Sequence, residues 1–274
     1  MTTRFCLICT FLCGICSIAS AQTTGDSLFA AGHYLAARVT YERVLFMSTE
    51  PVEQFSAAMG KARCLKQQGL NAQAVTFLNS QIQAIYPDSL TYQLRREQIL
   101  CAYLAGQFEN TLSLLDRLPY LHPDIPAPPL LMAVRVLSLN ELNRWTEADT
   151  AYRALATYTH ADTVQTPYKQ LPRLKSEKKA QWLSTFIPGA GQFYAGKPGE
   201  AGLSILVQSA GLYFGITSFL RGYYLSAWGV GAGLFGSFHA GGVRRAEVLV
   251  RQLNQQRAAA FNSQLRQQVL KLIE

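Results

Sequence analysis

The sequence predicts an all-α protein, a helix-turn-helix repeat solenoid followed by a transmembrane helical hairpin. Three observations predict it. A residue pattern returns every 37 positions, two apolar stretches near the C-terminus are parted only by Arg221-Gly222, and the charge balance changes sign along the chain. Residues 22–168 hold 11 Lys+Arg against 13 Asp+Glu, whereas residues 169–274 hold 13 against 4. Basic residues that flank apolar spans are suited to lipid phosphates, so membrane lipids are expected partners and nucleic acid is not.

Residues 1–21 read as an export signal, with Arg4 as the charged start, Phe5 to Ile18 as the apolar run and Ala19-Ser20-Ala21 as the cleavage site. The run is short for a membrane span. Cys6, Cys9, Cys13 and Cys16 within it are spaced like metal ligands, but they fall in the part expected to be removed. Cys9, Cys13 and Cys16 follow Ile8, Leu12 and Ile15, which does not suit a lipidated cysteine. Neither a metal nor another cofactor is expected.

From residue 22 to 160 the chain repeats four times. The anchors Gly32, Gly69, Gly106 and Asn143 are each 37 residues apart. A small residue stands five later (Ala37, Ala74, Thr111, Ala148) and a bulky one nine later (Tyr41, Leu78, Leu115, Tyr152). Gly or Asn tolerates the left-handed backbone that ends a helix, and the small residue lets the next helix approach closely. Leu28, Leu65, Ala102 and Leu139, four before each anchor, continue an apolar stripe on the preceding helix. Pro51, Pro87 and the stretch Pro119 to Pro129 fall between units, where helices stop.

These positions resemble the tetratricopeptide family, whose usual period is slightly shorter; a related class of helical-hairpin solenoid remains the alternative. The resemblance implies a groove lined by the first helices, which binds a peptide or partner protein. It places Ser56, Met59, Arg63, Lys66 and Gln67 there, then Gln93, Arg96, Leu100, Tyr103 and Leu104, then Leu130, Ala133, Leu137, Asn140 and Glu141. Arg63, Lys66 and Arg96 would clamp a carboxylate and Tyr103 would give a rigid contact, and Asn140 would be the partner-binding position of the last unit. Cys64 and Cys101 fall at equivalent points of adjacent helices, too far apart for a disulfide, so two buried free thiols are expected.

A polar linker over residues 161–179 leads to a membrane domain over 180–243, with spans at Gly202 to Leu220 and Tyr223 to Ala240. Small residues recur at four-residue spacing in Gly211/Gly215, Gly229/Gly233 and Gly236/Ala240, a pattern for close helix packing and for homo-oligomers through the same faces. Pro188, Gly189, Gly191, Phe193, Tyr194 and Gly196 carry a resemblance to small domains with two transmembrane helices that open on a Phe-Tyr-x-Gly motif. Lys175, Lys178, Lys179, Arg244 and Arg245 conflict with a positive-inside topology if both ends are outside, and a third pass over Ala180 to Ala195 would relieve this; two passes and three stay open. Residues 244–274 read as an amphipathic helical tail on lipid or on another helix.

His33, His122, His160 and His239 share no metal-ligand spacing, and no nucleotide-binding or nucleophile motif is present, so no enzyme is expected. The expected role is a membrane-anchored scaffold of the cell envelope, with the repeats outside the cytoplasm and in the periplasm if the cell is Gram-negative. The alternative is a translocation or transport component acting through residues 180–243.

Overall fold

The computed structural model describes residues 22–82, 87–160 and 166–273, and the expected export signal with its four cysteines lies outside them. Among the described residues the chain is all helical. It divides into two compact units, one of Met1–Tyr168 with Gln267–Glu274 and one of Lys169–Arg266.

In the first unit, α1 (residues 22–30) and α2 (Tyr34–Met47) meet at Gly32, whose φ of +79° only glycine adopts freely. The same corner recurs at Gly69 (φ +72°), Gly106 (φ +72°) and Asn143 (φ +57°). At each, the anchor N–H bonds to the carbonyl three residues back and the next N–H to the carbonyl five back, as in Gly69 to Lys66 and Leu70 to Leu65. This satisfies carbonyls that a helix end would leave bare. The period therefore reaches the helices themselves. α4 (Asn71–Ile82), α6 (Phe108–Leu121) and α8 (Trp145–Tyr158) start in the register of α2, and α3 (Pro51–Gln67) matches α5 (Asp88–Leu104) residue for residue. α7 (Pro129–Glu141) ends in register but starts late, because the chain runs irregularly from His122 to Pro128.

Neighbours in sequence pack on each other from α2 to α8, and α5 also touches α3 and α7. Ala37, Ala74, Thr111 and Ala148 are fully buried at the close approaches, and Leu78, Leu94, Ile99 and Leu155 fill the spaces between helices. Tyr41 lies against Gly60, where a Cβ would stand 2.6 Å from its ring. Cys64 and Cys101 are buried free thiols in two separate clusters. At the other end of the unit Val269, Leu272 and Ile273 pack on Ala133, Val136, Leu137 and Leu155. They cover apolar side chains of α7 and α8.

In the second unit, α9 (Glu177–Phe186) stops before Pro188, and Gly189 (φ +82°) turns the chain into α10 (Ala190–Tyr194). Ala180 to Ala195 is therefore not one helix. Gly196 and Gly222 (φ +81° and +82°) end helices with the bond pattern of the repeats. After Gly196 comes α11 (Pro198–Leu220), and after Gly222 the short α12 (Tyr224–Ser226), a π-helical turn over Ala227–Ala232 and α13 (Gly233–Lys271).

Two expectations change here. Among the described residues one helix, Pro198–Leu220, is long and apolar enough to cross a membrane, with a mean hydropathy of 1.5 over its best window. The second stretch, Tyr223 to Ala240, is divided among α12, the π-helical turn and the start of α13, which continues past the expected boundary at 243. The small-residue face is also displaced. Gly231, not Gly229 or Gly233, packs against Gly215, while Gly229, Gly233 and Gly236 have open space beside them. A wider π-helical turn carries extra residues, which shifts the face that the helix presents.

Candidate functional site

The first helices of the repeat unit enclose a concavity of about 430 Å³. Ser56, Met59 and Arg63 of α3 and Gln93 of α5 line it, four positions that the resemblance assigned to the groove. They converge because helical spacing puts 56, 59 and 63 on one face of α3, and the 37-residue period carries the same face to α5. The wall opposite adds Asp26, which accepts the Tyr41 hydroxyl at 2.6 Å. Burial, and then the Asp26 carboxylate, raise the Tyr41 phenol above its ordinary range, so it stays a donor. Gln22 donates to Ser56 Oγ at 3.2 Å. The concavity thus offers amide and hydroxyl groups, the exposed carboxylate of Asp26 and one exposed guanidinium, that of Arg63, which makes no ion pair among the described residues.

The remaining expected groove residues do not all join it. Lys66 is engaged by the buried carboxylate of Glu97, so the acid it was expected to clamp is supplied from within the fold. A buried carboxylate without that partner would be costly. Arg96 is exposed on α5 outside the concavity. Tyr103 is half-buried, its ring 5.7 Å from that of Phe108, and belongs to the core around Ile99 and Leu131. Asn140 is the clearest correction. It is 1 % exposed and accepts the Tyr168 hydroxyl at 2.8 Å, while Ala133 and Leu137 beside it lie under Val269.

In the second unit the Phe-Tyr-x-Gly segment is mostly structural. Gly191 packs so closely on Ser184 and Ala180 that a Cβ would also lie 2.6 Å from Ala246 Cβ, and Gly189 adopts the left-handed backbone beside Ala201. The Tyr194 hydroxyl accepts the Ser176 N–H at 3.2 Å, and the Lys175 ammonium lies 5.0 Å from its ring centroid, so this tyrosine ties down the connector. Phe193 is exposed, Pro188 half-buried, and Gly196 forms the turn.

Sequence reasoning missed a buried polar seam. Ser184 donates to Gln192 Oε1 at 3.2 Å and accepts the Gly191 N–H at 3.0 Å. Gln192 then donates to the Gly242 carbonyl at 2.9 Å. Gln208, equally buried, donates to Ser204 Oγ at 2.8 Å, and its Oε1 faces His239 Nδ1 at 3.2 Å. Two glutamines amid apolar residues were the available signal, since a buried amide requires partners. No group of three or more His, Cys, Asp or Glu among the described residues is placed to hold a metal ion.

The chain matches no family model, no curated protein and no solved structure.

Proposed function

We propose that this protein is a membrane-anchored interaction scaffold of the cell envelope, whose tetratricopeptide-like repeats bind an extended segment of a partner protein. The observation that carries the reading is the concavity over Ser56, Met59, Arg63 and Gln93, where successive first helices present convergent polar groups. Amide and hydroxyl groups satisfy the N–H and C=O groups of an extended peptide, and Arg63 meets a carboxylate. Four turns of one hydrogen-bond pattern at 37-residue spacing, three on Gly and one on Asn143, support a solenoid that holds this surface rigid.

Residues 180–243 are the anchor in this reading. α11 and the apolar start of the chain beyond Gly222 enter the bilayer as a hairpin, and Leu203, Leu206, Tyr213, Phe219, Leu225 and Trp228, all exposed, face lipid. The open glycines Gly229 and Gly233 leave a face for a second copy. The export signal would carry the repeats out of the cytoplasm.

Crosslinking pull-down with the full chain tests the scaffold. Arg63→Glu together with Gln93→Ala is expected to lose a partner that the wild type captures, while Arg96→Glu, outside the concavity, keeps it. Equal capture by all three proteins refutes the groove. The second reading, a translocation or transport component, is favoured by the Gln192–Gln208–His239 seam beside an apolar helix. It fails if residues 180–243 can be exchanged for an unrelated anchor without loss of function.

A further inference from the structure

We infer that the cleft between α11 and α13 is a phospholipid site selective for headgroups that end in a primary ammonium, the phosphoethanolamine class. The inference rests on the membrane reading of residues 180–243. The cleft measures about 450 Å³, within the range of small-ligand sites. At its mouth Arg245 donates twice to Glu200, at 2.7 and 2.9 Å, and both side chains remain partly exposed. Away from the mouth, Leu203 and Val207 of α11 lie three and seven residues past Glu200, and Phe238 of α13 lies seven before Arg245. Seven helical residues rise about 10 Å, so both walls run the same length from charged to apolar.

That gradient fits an amphiphile, and the mouth narrows which one. The guanidinium has donors to spare for a phosphate, and the carboxylate keeps lone pairs for an ammonium. Opposite charges sit side by side in a zwitterionic headgroup, and here they face their complements. A choline has no N–H to donate to Glu200, and a glycerol headgroup brings no cation. Lys197, just before α11, adds positive potential but does not line the cleft, so Glu200 alone selects the headgroup terminus. Gln192 forms a rigid polar wall, held by Ser184 and the Gly242 carbonyl.

Native mass spectrometry of the full chain, equilibrated with equal amounts of phosphatidylethanolamine, phosphatidylcholine and phosphatidylglycerol of one acyl composition, tests the site. The expected result is retention of the ethanolamine lipid about tenfold over the other two, the ratio one charge-assisted hydrogen bond supplies. Glu200→Gln is expected to erase that preference while leaving phospholipid bound. A wild-type ranking with the glycerol lipid equal or first, or no ranking, overturns the proposal even if the variant does not fold. Flotation of the same protein with vesicles after a carbonate wash separates the two failures. Protein left in the aqueous fraction refutes the membrane reading and the site with it; protein that floats yet ranks headgroups equally refutes only the selectivity.

Discussion

In the repeat unit a left-handed Gly or Asn ends the first helix of each pair and a fully buried small residue seals the second, as with Gly69 and Ala74. In the second unit Gly196 with Ala201 and Gly222 with Ala227 build the same corner. The faces then diverge. The repeats bury Tyr41, Leu78, Leu94 and Leu155, whereas the second unit leaves Leu206, Phe219 and Trp228 exposed and buries Gln192 and Gln208. The comparison teaches that turn chemistry sets where helices end, while burial of the faces is decided separately. The proposed lipid surroundings of the second unit would let its apolar face point outward while its polar groups pair internally.

The largest expected effect separates the two interiors. Leu78→Ala removes a fully buried side chain and is expected to cost about 2–5 kcal/mol in urea unfolding. Leu206→Ala, at a position 66 % exposed, is expected to stay within about 0.5 kcal/mol in detergent. Equal losses would mean that both units hide their leucines from water in the same way. Next comes the glycine contact. Gly231→Ala sets a methyl against the backbone of Gly215 and is expected to cost about 1–3 kcal/mol, while Gly229→Ala, in open space, costs nothing measurable in a thermal melt. A reversed ranking would restore the straight-helix register. Smaller again is the shared corner. Gly106→Ala and Gly196→Ala are each expected to lose about 1–2 kcal/mol from the left-handed backbone, with Asn recovering part of it.

The corners of the repeat unit were legible because their chemistry is local: Gly and Asn best suit a left-handed residue, so Gly32, Gly69, Gly106 and Asn143 mark the turns. Gly196 and Gly222 carry the same signal, with Ala201 and Ala227 five residues on, but it is masked in sequence by apolar, glycine-rich surroundings that resemble membrane motifs. Of the groove, Ser56, Met59, Arg63 and Gln93 were implied by the resemblance, and helical spacing with the 37-residue period brings them together. Lys66 and Asn140 did not, because what engages them comes from other helices or from distant chain: Glu97 for one, Tyr168 for the other. The displaced glycine face has a third cause. A π-helical turn at Ala227–Ala232 changes register without any residue that demands it.

The smallest effect uses a feature that only one unit has. Residues 169–266 contain no cysteine, whereas Cys64 and Cys101 lie fully buried in the repeats. Burial raises both thiols, that of Cys101 to about 12, against an ordinary value of 9.0. A thiol raised in the folded state stabilises the fold fully below pH 9, and the contribution is lost as pH climbs towards about 12, because the thiolate prefers the unfolded chain. Peptide mass spectrometry after maleimide treatment at pH 7 is expected to find both residues unmodified in the native chain and both labelled in urea, since the thiolate is the nucleophile. Leu78→Ala should therefore lower the urea concentration at which Cys101 is labelled, as the two share one core cluster. A Cys64–Cys101 disulfide in the untreated protein would mean that α3 and α5 pack in a different register, and with it the concavity over Ser56, Arg63 and Gln93 would be lost.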